Sequence, residues 1–285
     1  MRTLILTVVL LSLIPFSLYA SARSNSGGLA NRVAELEAQV EQLSAILEFV
    51  YVETKSINGL LGPHLIIEGA NVHVRSGSGS TADGCPFGDP NCGKLTGLGN
   101  FIVGYNEPLP PRHPGDPPHE DRTGSHNLVV GEWHSYASFA GFVAGRRNRL
   151  MGPHASVSGG FTNHASGPFS SICGGELNVA SGTSSSVGGG FVNWARGDFS
   201  SVSGGGANTA SGDRSSISGG SRSEASGPDS SVSGGEGNGA RGAISSVSGG
   251  RGNSASGFAS SVSGGRIRTA PENFNWAAGN LLEKN

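Results

Sequence analysis

From Ala155 onward the chain returns to one pattern every 15 residues. Val157, Ile172, Val187, Val202, Ile217, Val232, Val247 and Val262 keep that spacing without error. Gly follows each two and three residues later, from Gly159-Gly160 to Gly264-Gly265. Ala165, Ala180, Ala195, Ala210, Ala225, Ala240 and Ala255 share the period, as does Ala270. Asn recurs at 163, 178, 193, 208, 238 and 253 and fails only at Ser223 and Arg268. A Gly-rich chain without a period would read as disordered. Anchors held in register over eight units exclude a random linker and demand a stacked repeat.

Ser-Val-Ser-Gly-Gly reads as a short strand ending in a turn, and Asn-x-Ala-Ser-Gly as a second one. Ile172, Asn178 and Ala180 have the same parity, so one face can carry all three. An odd period needs a corner to reset the phase, which repeated Gly permits. The expected fold is all-β: a left-handed parallel β-roll or β-helix solenoid of 15-residue turns. Val157 to Val262 and Ala165 to Ala255 form its core. The periodic Asn either forms a buried hydrogen-bonded ladder or sits exposed in a turn.

One Val or Ile and one Ala per turn make a thin core. Burying the larger side chain is worth about 1.5–3 kcal/mol, against about 1–2 kcal/mol of backbone entropy per ordered residue. Packing against identical chains would raise the burial. The region 28–52 supplies a way to hold copies together. Leu29, Val33, Leu36, Val40, Leu43, Leu47 and Val50 are spaced 4,3,4,3,4,3, the seam of a coiled coil of about three heptads. Val at one seam position and Leu at the other suits a dimer. Arg32-Val33-Ala34-Glu35-Leu36-Glu37 instead resembles the R-h-x-x-h-E pattern of three-stranded coiled coils, with Arg32 and Glu37 as its charged ends. The expectation is a short α-helical coiled coil ahead of the roll, in a parallel homotrimer.

Residues 1–22 read as a secretory signal peptide: Arg2, an apolar run from Leu4 to about Leu18, then Ala20-Ser21-Ala22. The mature chain is expected at the cell surface, outside the cell or in the periplasm, with no transmembrane helix. Export would allow Cys85 and Cys92, separated by Pro86 to Asn91, to form a disulfide. Cys173 stands where sister repeats have Ser.

Between helix and repeat, 53–98 is a strand and loop transition. Leu65–Glu68 and Asn71–Arg75 read as two strands around Gly69-Ala70. Residues 99–150 are degenerate repeats: Asn100 to Gly104, His126 to Gly131 and Phe142 to Gly145 echo one another. A Pro- and His-rich insertion, 106–124, interrupts them and is the candidate contact loop. His113, Asp116, His119, Glu120 and Asp121 crowd it, next to His126, without a fixed metal-ligand spacing. The region 271–285 reads as a cap on the roll, through Phe274, Trp276 and Leu281.

Ser156-Val157-Ser158-Gly159-Gly160-x-x-Asn163-x-Ala165-x-Gly167 resembles the head repeat of trimeric autotransporter adhesins (the YadA-like, or Hep/Hag, repeat). The likeness covers about residues 139–270, with degenerate copies from Asn100. It implies a trimeric left-handed parallel β-roll and a role in adhesion to host matrix, cell surfaces or abiotic surfaces. Two features depart from that family. The heptads precede the head here, and the family's C-terminal membrane-anchoring barrel segment has no counterpart.

Other functions fit less well. The net charge of −2 disfavours nucleic acid as a partner. There is no G-x-S-x-G elbow, and no paired carboxylate recurs with the period, so neither enzyme chemistry nor a cofactor is expected. A structural fibre or spike is the first alternative. Ice binding is the second, carried by the Ser158, Ser203, Ser218, Ser233, Ser248 and Ser263 column. Phe169, Trp194 and Phe199 fall at positions expected to be exposed, as binding hot spots or as packing between chains.

Overall fold

The computed structural model describes residues 29–85, 95–110, 121–279 and 281–283. The signal-peptide region, Cys92 and most of the insertion, including His113, Asp116, His119 and Glu120, lie outside the described residues. The chain divides into two compact units, one ending at Val72 and one beginning at His73.

In the first unit, α1 (Leu29–Ile46) is followed by β1 (Val50–Glu53) and β2 (His64–Ile67). The helix is shorter than the heptads imply. Leu47 still donates its N–H to the Leu43 carbonyl at 3.0 Å, but Val50 belongs to β1 and pairs with Ile67 across an antiparallel ladder. Val50-Tyr51-Val52 favours a strand over a further helical turn. The seam on the helix therefore ends at Leu43. The predicted strand Asn71–Arg75 does not form. β2 takes β1 as its neighbour, and alternation without a pairing partner does not make a ladder.

The second unit is a parallel β-solenoid of about ten turns. One sheet stacks the Val strands, from β3 (Phe101–Val103) and β4 (Leu128–Glu132) to Trp276–Ala278. The other stacks the Ala strands, from Ser135–Tyr136 to Thr269–Ala270. Single bridges from Arg146 through Phe161, Glu176 and Phe191 to Arg266 form a third line of stacking. The register is the sequence period itself: Ile172 pairs with Val187, and Ala180 with Ala195. The first two turns have 14 residues, with Val129, Val143 and Val157 aligned. They lack one Gly of the Gly-Gly pair. The omitted position is the one whose Cβ meets little or nothing in most of the longer turns, as at Gly174, Gly204 and Gly219.

Each coil closes its own core. The Val, Ala and Asn columns are buried from Val157 to Val262, Ala165 to Ala270 and Asn148 to Asn253, and a column of Ser from Ser170 to Ser260 joins them. In the short coils Tyr136 and Leu150 replace Ala, and Gly141 leaves the space that the Leu150 side chain fills. The expectation of one Val and one Ala per coil therefore undercounted what is buried. The Asn side chains are hydrogen-bonded within one chain, whereas the hydroxyls of Ser170, Ser185, Ser200, Ser215, Ser230 and Ser245 are buried without a hydrogen-bond partner.

The Asn column is a ladder. Each Oδ1 accepts the backbone N–H of the next coil's Asn: Asn178 N to Asn163 Oδ1 at 2.9 Å, Asn193 N to Asn178 Oδ1 at 2.9 Å. Each Nδ2 donates to two Gly carbonyls, as Asn178 does to Gly174 and Gly190 at 3.0 Å each. Side chain thus bonds to backbone, and a buried amide is used on both atoms. Ser223 interrupts the ladder, and Asn238 N reaches its Oγ at 3.4 Å.

Candidate functional site

Among the described residues, no three His, Cys, Asp or Glu side chains gather as a metal would need. Of the insertion, Asp121 is visible, and its role is local. Its carboxylate accepts the Thr123 N–H at 3.0 Å and the Thr123 hydroxyl at 2.6 Å, while its carbonyl accepts the Tyr136 N–H at 2.7 Å. This ties the end of the insertion to the first coil.

A polar knot that the sequence did not signal lies beside it. Asp83 is buried, and its carboxylate accepts hydrogen bonds from Ser76 and Ser78 at 2.6 Å each and from the Thr96 hydroxyl at 2.7 Å. Burial pushes this carboxyl up, but the Ser125, Ser76 and Ser78 hydroxyls and the Thr96 amide outweigh it and hold it below the usual carboxylate range. His126 borders the knot, with Nε2 accepting the Ser76 N–H at 3.2 Å. The run Ser76-Gly77-Ser78-Gly79-Ser80 reads as plain loop, and only the fold shows which acid those hydroxyls serve. Cys85, at the end of this loop, is buried and disulfide-bonded. Cys173 is an exposed free thiol.

The N-terminal end of the Asn ladder holds a histidine. His134 is buried, its Nδ1 accepts the Asn148 N–H at 3.2 Å, and its Nε2 donates to the Val130 carbonyl at 3.0 Å. Only the neutral ring makes both bonds. Burial lowers its pKa, against the Val130 carbonyl, other backbone groups and Glu132, which favour the charged form. Burial and then Arg149 lower that of His164 as well. A histidine with a depressed folded pKa adds stability above its unfolded value, about 6.5. That stability is lost as pH falls below it, because the unfolded chain then binds more protons. The thermal midpoint is expected to drop between pH 7 and pH 5, measured by circular dichroism. His134→Asn restores the residue that the other coils use and is expected to shrink the drop, leaving the His164 share. An unchanged drop refutes this role.

What the solenoid offers to a partner is its corners. Two non-Gly positions per coil hold positive φ: Thr162, Leu177, Val192 and Ala207 on one line, and His154, Phe169, Ser184 and Phe199 on another. These are the variable residues of the repeat. On the second line His154 lies parallel to Phe169 at 5.0 Å, and Phe139, next to the line's Ala140, is edge-on to His154 at 5.3 Å. Phe199 is exposed. Trp194 lies on an Ala strand, half-buried beneath Arg196, whose guanidinium is 3.9 Å from the ring centre. The outer Ser column is exposed but broken at Cys173 and Gly188.

On α1 the seam residues Val33, Leu36 and Val40 are 44 %, 58 % and 61 % exposed. No protein-family profile matches the chain, and comparison with curated proteins finds no significant relative.

Proposed function

We propose that this is an exported, non-enzymatic adhesin-like protein of the cell surface or extracellular space, assembled as a homotrimer through α1. The observation that supports it is the apolar seam of α1, which stays exposed in the single chain. An 18-residue helix with such a face is marginal alone in water and gains stability by pairing with like helices. The likeness of Ser156 to Gly167 to adhesin head repeats supports attachment as the use of the roll. The solenoid itself makes no further demand for partners, since its core closes within one chain. It then serves as a rigid carrier of variable corners.

Light scattering of the mature protein after gel filtration is expected to return three times the chain mass. Leu36→Asp is expected to return one chain mass with the solenoid's circular dichroism intact. A monomeric wild type overturns the trimer. Attachment is tested by binding the protein to whole cells and matrix-coated surfaces, with and without residues 107–123. Equal retention on coated and blocked surfaces favours a purely structural fibre.

A further inference from the structure

We propose that the outer face of the Ala sheet, from Arg149 to Arg196, is a binding strip for one chain of a sulfated polysaccharide. This names a ligand class for the attachment reading above and rests on it.

Strand parity turns alternate residues of each coil outward. Leu150, Ala165, Ala180 and Ala195 are buried, so Arg149, His164, Val179 and Trp194 face out, stacked in register. At about 4.8 Å per coil this column spans about 14 Å. Beside it run Met151, Ser166, Ser181 and Arg196. The two columns bring together Arg149, His164 and Arg196 with no carboxylate among them. Five other arginines of the solenoid are neutralised: Arg146 by Glu132, Arg214 by Asp229, Arg222 and Arg251 by Glu236, and Arg241 by Glu224. Arg149 is exposed and has no ion pair among the described residues. Arg196 is exposed as well, and the Trp194 ring, 3.9 Å from its guanidinium, places its charge on this face without cancelling it. His164 is the in-register neighbour of Arg149. Burial, and then the Arg149 charge, lower its pKa, and its Nε2 is buried without a hydrogen-bond partner.

Charge complementarity calls for an anion, and a strip one strand wide calls for a single extended chain of them. The corners bound the strip. Glu176 stands at the corner before the Ala strands and Asp198 at the corner after them, its carboxylate accepting the Thr183 N–H at 2.7 Å. An anionic membrane would touch both corners, and a nucleic acid depends on more phosphate contacts than these cations supply. The Arg149 N–H already donates to the Asn163 carbonyl and the His164 N–H to the Asn178 carbonyl, at 2.8 Å each. An extended peptide therefore finds no free ladder here. A hydroxylated chain does find partners, in the Ser166 and Ser181 side chains. A carboxylate gives both of its oxygens to a guanidinium fork. A sulfate ester has three, and the third remains for a hydroxyl beside Arg149. The occupant is therefore a sulfated glycan, with one sulfate at Arg149 and another at Arg196. A sulfate placed beside His164 favours the imidazolium, so binding takes up protons and strengthens as pH falls. Arg149 is the charged neighbour of His164 on the preceding strand, and the following strand brings the uncharged Val179.

The test uses the full mature protein, low salt and three probes: a heparin hexasaccharide, the same sugar stripped of sulfate but not of its carboxylates, and a short single-stranded DNA. Binding is read by titration calorimetry, with circular dichroism to show that each variant is folded. The sulfated probe is expected to bind, about threefold to tenfold more tightly at about pH 5.5 than at about pH 7.5. Arg149→Ala is expected to weaken it about tenfold, the loss of one charge-assisted fork. Arg149→Lys keeps the charge without the fork and is expected to fall between. Arg251→Ala, at a cation already paired with Glu236, is expected to leave binding unchanged. His164→Gln is expected to erase the pH dependence and keep the affinity measured at the higher pH. Silence with the sulfated probe overturns the proposal, as does equal binding of the desulfated sugar or the DNA. Undiminished binding by both Arg149 variants overturns it too, and wild-type binding that ignores pH overturns the placement beside His164. Wild-type attachment to cells alongside a silent sulfated probe sinks the glycan assignment alone. Binding of the probe without attachment to any cell or coated surface sinks the attachment reading and leaves the site standing.

Discussion

Replacing Gly182 by alanine is expected to destabilise the solenoid by about 1–3 kcal/mol, the cost of forcing volume into a closed packing. Its backbone angles would admit any residue; the obstacle is the neighbouring coil. A Cβ there would fall on the carbonyl oxygen of Gly197, with the Arg196 carbonyl 2.8 Å away on the same side. Both obstacles are backbone and neither can turn aside. The same register recurs at Gly167, Gly197, Gly212, Gly227 and Gly242, so the requirement comes from coil-to-coil approach. The control is Gly204→Ala. Nothing lies within 4 Å of the Cβ it would add, and it is expected to change stability by less than about 0.5 kcal/mol. Urea melts of the two variants check the pair. Equal losses would mean that helical or strand propensity, rather than approach of the coils, decides the outcome.

The second large effect is expected at Asn193. Its Oδ1 accepts the Asn208 N–H at 3.1 Å, and its Nδ2 donates to Gly189 at 2.9 Å and Gly205 at 3.0 Å. Alanine would leave the buried Asn208 N–H and the Gly189 carbonyl without those partners, while the Gly205 carbonyl keeps the Phe191 N–H. An unsatisfied buried group costs about 1–3 kcal/mol, with carbonyls at the lower end, so a loss of about 3 kcal/mol is expected. Serine is expected to cost less, since the chain itself places Ser223 in this column with a long but surviving bond. Aspartate keeps the shape but sets acceptor against acceptor at Gly189 and Gly205, and is expected to be worse than alanine. Hydrogen exchange checks the assignment site by site, with protection lost first at the Asn208 amide. Intact protection there in Asn193→Ala would remove the ladder from the account.

Much of this was legible in the residues. The period fixed the strands at Val157 and Ala165 and their copies, because stacking turns the sequence spacing directly into register. Parity allowed Val, Ala and Asn to share one face but left the Asn open between a buried ladder and an exposed turn; all three columns are buried. Short-range pattern served less well where tertiary partners decide. Asn71–Arg75 alternates like a strand but has no ladder, and Val50 joins β1 instead of a seventh seam position. The Asp83 knot was invisible because its donors come from three separate stretches, at Ser76, Thr96 and Ser125.

The 15-residue register of identical neighbours has a consequence at the level of the gene. Gain or loss of fifteen codons inserts or removes one whole coil, and every ladder on either side re-forms with the same partners. Loss of one codon is accommodated at the open Gly of the Gly-Gly corner, as the two short coils show. The length of the solenoid and the order of its corner residues can therefore change by recombination between repeats, without redesign of the interior.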